Sequence, residues 1–155
     1  MTVEIISSQW LADNLLDPRI KIIEVSAKKE DEAGYYKNHI PGAINFWWKD
    51  LCWDDTDRQF VTPLQLADRL SNVGISHKDI IVLYGEPVQY GTYALWSLIM
   101  AGHPDIKLLD GGRTRWMSQK LASTNTLPEI SKTDYKVQQP AQEMRLGRNN
   151  ILKNL

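Results

Sequence analysis

The chain has 155 residues, 43% hydrophobic and 24% charged, with a formal net charge of −1, which is the size and composition of one globular domain with a core. Without a basic excess, nucleic acid and anionic membranes are not expected as partners, and the apolar runs are far too short to span a bilayer. A single cysteine, Cys52, excludes a disulfide framework and a cysteine metal cluster.

Residues 3–6 predict a short strand. Ser7 or Ser8 then caps a helix whose apolar side is Trp10, Leu11, Leu15 and Leu16, stopped at Asp17-Pro18. Residues 20–25 read as a buried strand, and 26–38 as a polar, charged connection. The Pro41-Gly42 turn leads into a strand over 43–46. Residues 47–60 read as a long loop rich in Trp and Asp. Thr62 is the expected N-cap and Pro63 the first residue of a helix that buries Leu64, Leu66, Ala67 and Leu70 and ends at Gly74. Residues 80–84 are a β-branched apolar run, the pattern of a strand covered on both faces. A helix follows over 92–101, closed by Gly102, then a strand over 106–109 and a short helix over 113–120 after Gly111-Gly112. Residues 121–142 are polar, contain Pro128 and Pro140, and read as a linker able to wrap over the domain.

Strands alternating with helices imply an α/β fold with a parallel sheet and helices on both faces. Such sheets hold their sites at the carboxyl ends of the strands. The segment Gly85-Glu86-Pro87-Val88-Gln89-Tyr90-Gly91 lies at such an end. A tight loop between a buried strand and a helix start aims backbone N–H groups at one spot, with the helix dipole behind them, which suits an anion or a nucleophile. This loop contains no Cys, Ser, His, Lys or Arg.

Two motifs flank it: His39-Ile40-Pro41-Gly42-Ala43-Ile44-Asn45-Phe46 before, and Gly102-His103-Pro104-Asp105 through Asp110-Gly111-Gly112-Arg113-Thr114-Arg115-Trp116 after. In this order around a strand–loop–helix, they resemble the two signature regions of the rhodanese family of sulfurtransferases, over residues 4–116. The resemblance implies a rhodanese-like three-layer sandwich with a central, mainly parallel sheet. In active members a cysteine opens the loop. Its thiolate takes the outer sulfur of a donor such as thiosulfate as a persulfide, and a thiophilic acceptor such as cyanide removes it. Here Gly85 stands in the place of that cysteine, and Tyr90 where small active domains often carry arginine. No catalytic residue is therefore expected in this chain. Gly85, Glu86, Pro87, Val88, Gln89 and Tyr90 form a degenerate active loop, and Glu86 would repel an anionic donor.

Many members carry two such domains in tandem, the first without the nucleophile. The resemblance implies a rhodanese-like domain over 1–125. Residues 126–155 would then be a linker and the start of a second rhodanese-like domain, a partner in cis. Residues 144–155 weakly repeat the opening of the chain: Ile6 aligns with Leu146, Leu11 with Ile151, Asn14 with Asn154 and Leu15 with Leu155. A C-terminal helix docked on its own domain explains them equally well.

Two functions compete. One is the non-catalytic half of a thiosulfate or 3-mercaptopyruvate sulfurtransferase, acting on a small sulfur-containing anion with no cofactor. The other is a stand-alone regulatory or binding module. A phosphatase of related fold would need a cysteine and an arginine in the loop. Cys52 lies away from any strand-to-helix turn, beside carboxylates that would raise its pKa, and reads as a small apolar filler. His39, His77 and His103 lack metal-ligand spacing; His39 and His103 are expected to organise turns. Asp54, Asp55 and Asp57 lack the glycine and glutamate of a calcium loop, so no metal is expected.

Trp10, Trp96 and Trp116 fall on helical patterns and read as packing residues. Trp47, Trp48 and Trp53 crowd one loop and are candidates for a pocket wall or for the interface with a second domain. Arg113 and Arg115 are expected to pair at the surface. The opening residues carry neither a basic n-region nor an apolar h-region, so the expectation is a chain without a secretory leader in a reducing, cytoplasmic setting.

Overall fold

In the computed structural model, which describes residues 1–29, 34–56, 59–139 and 152–153, the elements follow in the order β1 (Thr2–Ile6), α1 (Ser8–Asn14), β2 (Ile20–Ser26), a 3₁₀ turn (Gly34–Tyr36), β3 (Ile44–Trp47), α2 (Trp48–Cys52), α3 (Pro63–Asn72), β4 (Ile80–Glu86), α4 (Gln89–Met100), β5 (Asp105–Leu109) and α5 (Gly112–Ser118). β4, which carries the longest apolar run, takes the centre between β5 and β2. β2 and β4 pair in parallel from Ile20 opposite Ile80 to Ser26 opposite Glu86, and the sheet runs β1-β5-β4-β2-β3, with every described pairing parallel.

Alternate residues of these strands serve two cores. Ile23, Val25, Ile81 and Leu83 pack with Leu66, Leu70, Ala94 and Leu98 beneath α3 and α4. Ile22, Val82 and Tyr84 pack with Leu11, Ile40 and Trp116 beneath α1 and α5. Each such aliphatic side chain, fully buried, contributes about 1.5–3 kcal/mol. The result is the expected three-layer α/β sandwich.

Local chemistry sets the helix starts. The Ser7 hydroxyl accepts from the Trp10 amide at 3.0 Å. Thr62 and Gln65 form a reciprocal capping box, with Pro63 opening the helix. Several boundaries differ from expectation. α1 ends at Asn14, so Leu16 falls beyond it and is 97% exposed. Leu64 sits in the first turn of α3, facing solvent at 72% exposure rather than the core. The stretch read as a continuous loop after β3 begins with α2, which buries Leu51 and Cys52.

Residues 121–139 lie against the domain as a strap. His39 and Thr124 exchange two backbone hydrogen bonds at 2.8 and 2.9 Å. The Thr133 hydroxyl donates to the Ile75 carbonyl at 2.6 Å, and the Tyr135 amide to the Ser71 hydroxyl at 3.0 Å. His39 presents one ring nitrogen to the Tyr35 carbonyl at 2.8 Å and the other to the Thr126 carbonyl at 3.0 Å. The buried His103 bridges the Asp79 carbonyl and the Tyr135 hydroxyl, at 2.9 and 2.6 Å. Its imidazole is held below the usual histidine range by burial. The His77 ring accepts from the Lys136 amide at 3.0 Å. Thus both motif histidines do organise turns, and each also clasps the strap. Apart from residues 152–153, which are helical, the repeat expected over 144–155 lies outside the described residues, as does Asp57.

Candidate functional site: the carboxyl edge of the sheet

β4 runs two residues further than its apolar run suggests, through Gly85 and Glu86, and α4 begins at Gln89. The loop between them is therefore only Pro87 and Val88, and Tyr90 and Gly91 belong to the first turn of the helix. The Glu86–Pro87 peptide bond is cis. The Tyr90 amide donates to the Pro87 carbonyl at 3.1 Å and the Gly91 amide to the Val88 carbonyl at 3.2 Å. Two of the N–H groups expected to face a ligand are thus already engaged.

Gly85 is buried in the ladder opposite Val25. A side chain built on it would overlap the Gly91 amide and come within 2.8 Å of the Pro87 carbonyl oxygen. The start of the loop therefore lacks a nucleophile and also the space for one. Glu86, Pro87, Val88 and Gln89 are exposed around this closed turn, with Tyr90 half-buried.

Charge at this edge is organised from below. Glu24 lies opposite Tyr84 across the β2–β4 pairing and is fully buried. Its carboxylate accepts from the Tyr84 hydroxyl, and from Arg113 Nη1 at 3.0 Å to Oε2 and 3.2 Å to Oε1. Arg113 also donates from Nη2 to the Gly34 carbonyl at 3.1 Å and to the Asn38 side chain, and its Nε pairs with the Glu86 carboxylate at 2.9 Å. The Tyr84 hydroxyl in turn accepts from the Ile40 amide at 3.4 Å, which ties in the first motif.

Burial raises the Glu24 carboxyl above the usual carboxylate range, outweighing the opposing pull of Tyr84 and Arg113, and it raises Tyr84 well above an ordinary phenol. The expectation that Arg113 pairs at the surface is thus overturned. Its guanidinium is directed inward because a buried carboxylate needs a partner. Arg115 does pair at the surface, with Asp110 at 2.5 Å. Sequence reading passed over this cluster. Its one signal was Glu24, a carboxylate between Ile23 and Val25 in a strand read as buried.

The aromatic candidates separate. Trp48 meets Trp53, Tyr90 and Tyr93, with ring centroids 6.4, 5.7 and 6.0 Å apart. Trp53 stacks on Phe60 at 5.0 Å, and Phe60 meets Trp96 edge-on at 4.6 Å. This continuous aromatic group runs from the α2 segment onto α4. Trp47 does not join it. Its indole donates to the Ala27 carbonyl at 3.2 Å, and its ring lies 4.6 Å from Lys29 Nζ and 5.3 Å from Lys49 Nζ. Consecutive residues part here because the chain passes from strand to helix between them. Phe60 and Trp96 are the members that sequence reading did not assign to this group. Cys52 is buried beneath it, and its thiol is raised chiefly by burial rather than by neighbouring carboxylates. Among the described residues, no cluster of His, Cys, Asp and Glu could hold a metal, and no helix is long and apolar enough to cross a membrane.

A parallel sheet covered on both faces, with a tight strand-to-helix turn at its carboxyl edge, defines an α/β sandwich of the class that displays a reactive loop at that edge. Residues 7–119 match the rhodanese-like domain model, and the chain belongs to that family. It is 35% identical over 149 residues, 96% of its own length and 52% of the relative's, to a Saccharopolyspora erythraea protein named "Putative thiosulfate sulfurtransferase". It is 30% identical over 152 residues, 97% of its length and 52% of the relative's, to the sulfur carrier protein TtuD of Thermus thermophilus. Among solved structures, SseA from Escherichia coli, described with the rhodanese fold and catalytic mechanism of 3-mercaptopyruvate sulfotransferases, superimposes with a TM-score of 0.84 at 23% identity, over 98% of this chain and 61% of that one. The chain spans about half the length of the curated relatives it matches.

Proposed function

We propose that this chain is the non-catalytic half of a thiosulfate sulfurtransferase whose second rhodanese-like domain, in cis, carries the reactive cysteine. The observation that carries this reading is Gly85, where the backbone of the following turn fills the volume a cysteine side chain would need. Arg113 is also engaged by Glu24 and Glu86 rather than by a ligand. The relatives' length and names supply the rest.

In this division of labour, residues 1–125 form the inactive domain and 126–155 lead into its partner. The partner's thiolate attacks the outer sulfur of thiosulfate, the S–S bond breaks and sulfite leaves. Cyanide, or another thiophilic acceptor, then takes the sulfane sulfur as thiocyanate and regenerates the thiolate. With 3-mercaptopyruvate as donor, the same thiolate attacks that donor's sulfur, the C–S bond breaks, and pyruvate leaves as its enolate, which takes a proton. No cofactor is required, and a reducing cytoplasmic setting keeps the thiol available. Trp48, Trp53 and Tyr90 wall the cleft between the domains on this side.

The test is thiocyanate production from thiosulfate and cyanide. The 155-residue chain gives none above background. The protein continued through its second domain gives turnover, together with a mass gain of one sulfur on a cysteine outside this chain. Persulfide on Cys52 matched by turnover would overturn the reading.

A further inference from the structure

The sheet ends on two strands of opposite character. At β3 the apolar side chains Ile44 and Phe46 are buried, and the Asn45 side chain is tied back to the Glu24 carbonyl at 3.2 Å and the Ser26 hydroxyl at 2.6 Å. At β1, Val3 and Ile5 lie opposite Ile106 and Leu108 and are 43% and 74% exposed. An apolar edge strand left open is a template for pairing with another strand.

The backbone of β1 is half committed. The Thr2 amide donates to the Pro104 carbonyl at 2.7 Å, and the Ile6 carbonyl accepts from the Asp110 amide at 2.9 Å. In a parallel ladder alternate residues turn both backbone groups to the same neighbour, so Thr2, Glu4 and Ile6 face β5. Val3 and Ile5 turn theirs outward, and among the described residues no strand pairs with them. Two N–H and two C=O groups thus stand in line beside two exposed apolar side chains.

The opposite face of the strand selects the partner. Lys107 lies across from Glu4, and its Nζ bonds to Glu4 Oε2 at 3.0 Å and to Asp105 Oδ1 at 3.3 Å, 5.6 Å from the Trp10 ring centroid. This ammonium is drawn into the protein, whereas the Glu4 side chain is 54% exposed. Two carboxylates share one cation, and the outermost charge of the edge is negative. A strand laid along β1 places a side chain beside Glu4 on this face. A basic residue there extends the alternating row begun by Lys107 and Glu4; an acidic one is repelled. The same rule disfavours a second copy of this chain. The antiparallel register that sets Val3 against Ile5 also sets Glu4 against Glu4.

We propose that β1 is a strand-addition site for an extended protein segment that carries a basic residue between two apolar ones. The segment pairs through its backbone with Val3 and Ile5 and through its charge with Glu4. The site is independent of the sulfur transfer proposed above.

The experiment is amide hydrogen exchange, read by NMR, on the 155-residue chain with short blocked peptides. The first has the sequence serine-isoleucine-arginine-isoleucine-serine. The second has glutamate in place of the arginine, and the third is the first with both isoleucine nitrogens methylated. At saturation the arginine peptide is expected to slow exchange of the Val3 and Ile5 amides by about tenfold. The glutamate and methylated peptides should give no protection. Ile5→Pro removes an outward N–H and no bond to β5, and should abolish binding in a chain that still folds. If that variant does not fold, the methylated peptide tests the same bonds from the other side. Glu4→Gln should keep the pairing and lose the preference for arginine over glutamate. Absence of saturable protection by the arginine peptide, protection that survives methylation, or equal protection by the glutamate peptide would each overturn the proposal. So would sedimentation showing a dimer that Ile5→Pro dissolves, because the occupant would then be a second copy.

Discussion

Two turns at the carboxyl edge of the sheet are both built on glycine, and they have opposite outcomes. Between β4 and α4, Gly85 lets the backbone close on itself until no side chain fits. Between β5 and α5, Gly111 and Gly112 take positive φ values of 77° and 57°, and the tight turn delivers Arg113 into the protein interior. The first turn has neither a nucleophile nor room for one at Gly85. The second keeps its cation, but Glu24 and Glu86 hold it. An anion arriving at this edge meets a closed backbone and an engaged guanidinium. The difference teaches that the inactivity expected of this domain has an electrostatic side as well as a missing sulfur.

The contrast breaks most visibly at Arg113. Arg113→Met strands the buried Glu24 with Tyr84 as its main partner and is expected to cost roughly 3–5 kcal/mol in urea unfolding. A loss below about 1 kcal/mol would sink the buried-pair account. The same cluster gives a pH signature. Because burial raises the Glu24 carboxyl in the folded state, its contribution is full below the unfolded value of about 4.3 and is lost as pH rises through the folded value. The stability of the wild type relative to Glu24→Gln should therefore decline above about pH 4.3, and parallel curves would refute this.

Gly85→Cys sharpens the comparison from the other turn. Forcing a side chain against the Gly91 amide and the Pro87 carbonyl should cost about 1–3 kcal/mol. It should not create thiosulfate:cyanide activity in the 155-residue chain; a persulfide at position 85 with turnover would show that the turn can open.

Away from the edge, effects shrink. Tyr135→Phe removes the strap's hydrogen bond to His103 and should cost about 1 kcal/mol. Burial lowers the His103 imidazole, so its contribution is full above about pH 6.5 and is lost as pH falls through the folded value. Proteolysis of residues 121–139 should accordingly speed up in acid, and a pH-independent rate would count against the clasp. Leu64→Gln, on the exposed side of α3, should change stability by no more than about 0.5 kcal/mol in either direction. A larger loss would mean that this face is covered.

Much of the architecture was legible because it is local. The alternation of apolar runs with helical periods marked every strand, and Thr62-Pro63 and Gly74 marked the two ends of α3. The absence of a nucleophile was legible because chemistry needs specific side chains at a specific place. α2 was missed because its five residues, Trp48–Cys52, have no room for a helical period to show. Arg113 was misread because its partner Glu24 lies 89 residues away. The aromatic group was half legible: Trp48 and Trp53 are near in sequence, whereas Phe60 and Trp96 join them only in space.

The sequence by itself determined the layered α/β class, the family motifs and the emptiness of position 85, since these depend on residue type and short-range spacing. The tertiary structure alone decided that the loop is closed, that Arg113 faces inward, that the strap is clasped by His39, His77 and His103, and that Phe60 and Trp96 join the aromatic group of Trp48 and Trp53. Those are contacts between residues remote in the chain. Their energies come from burial, desolvation and steric exclusion, which exist only once the sheet has brought the partners together.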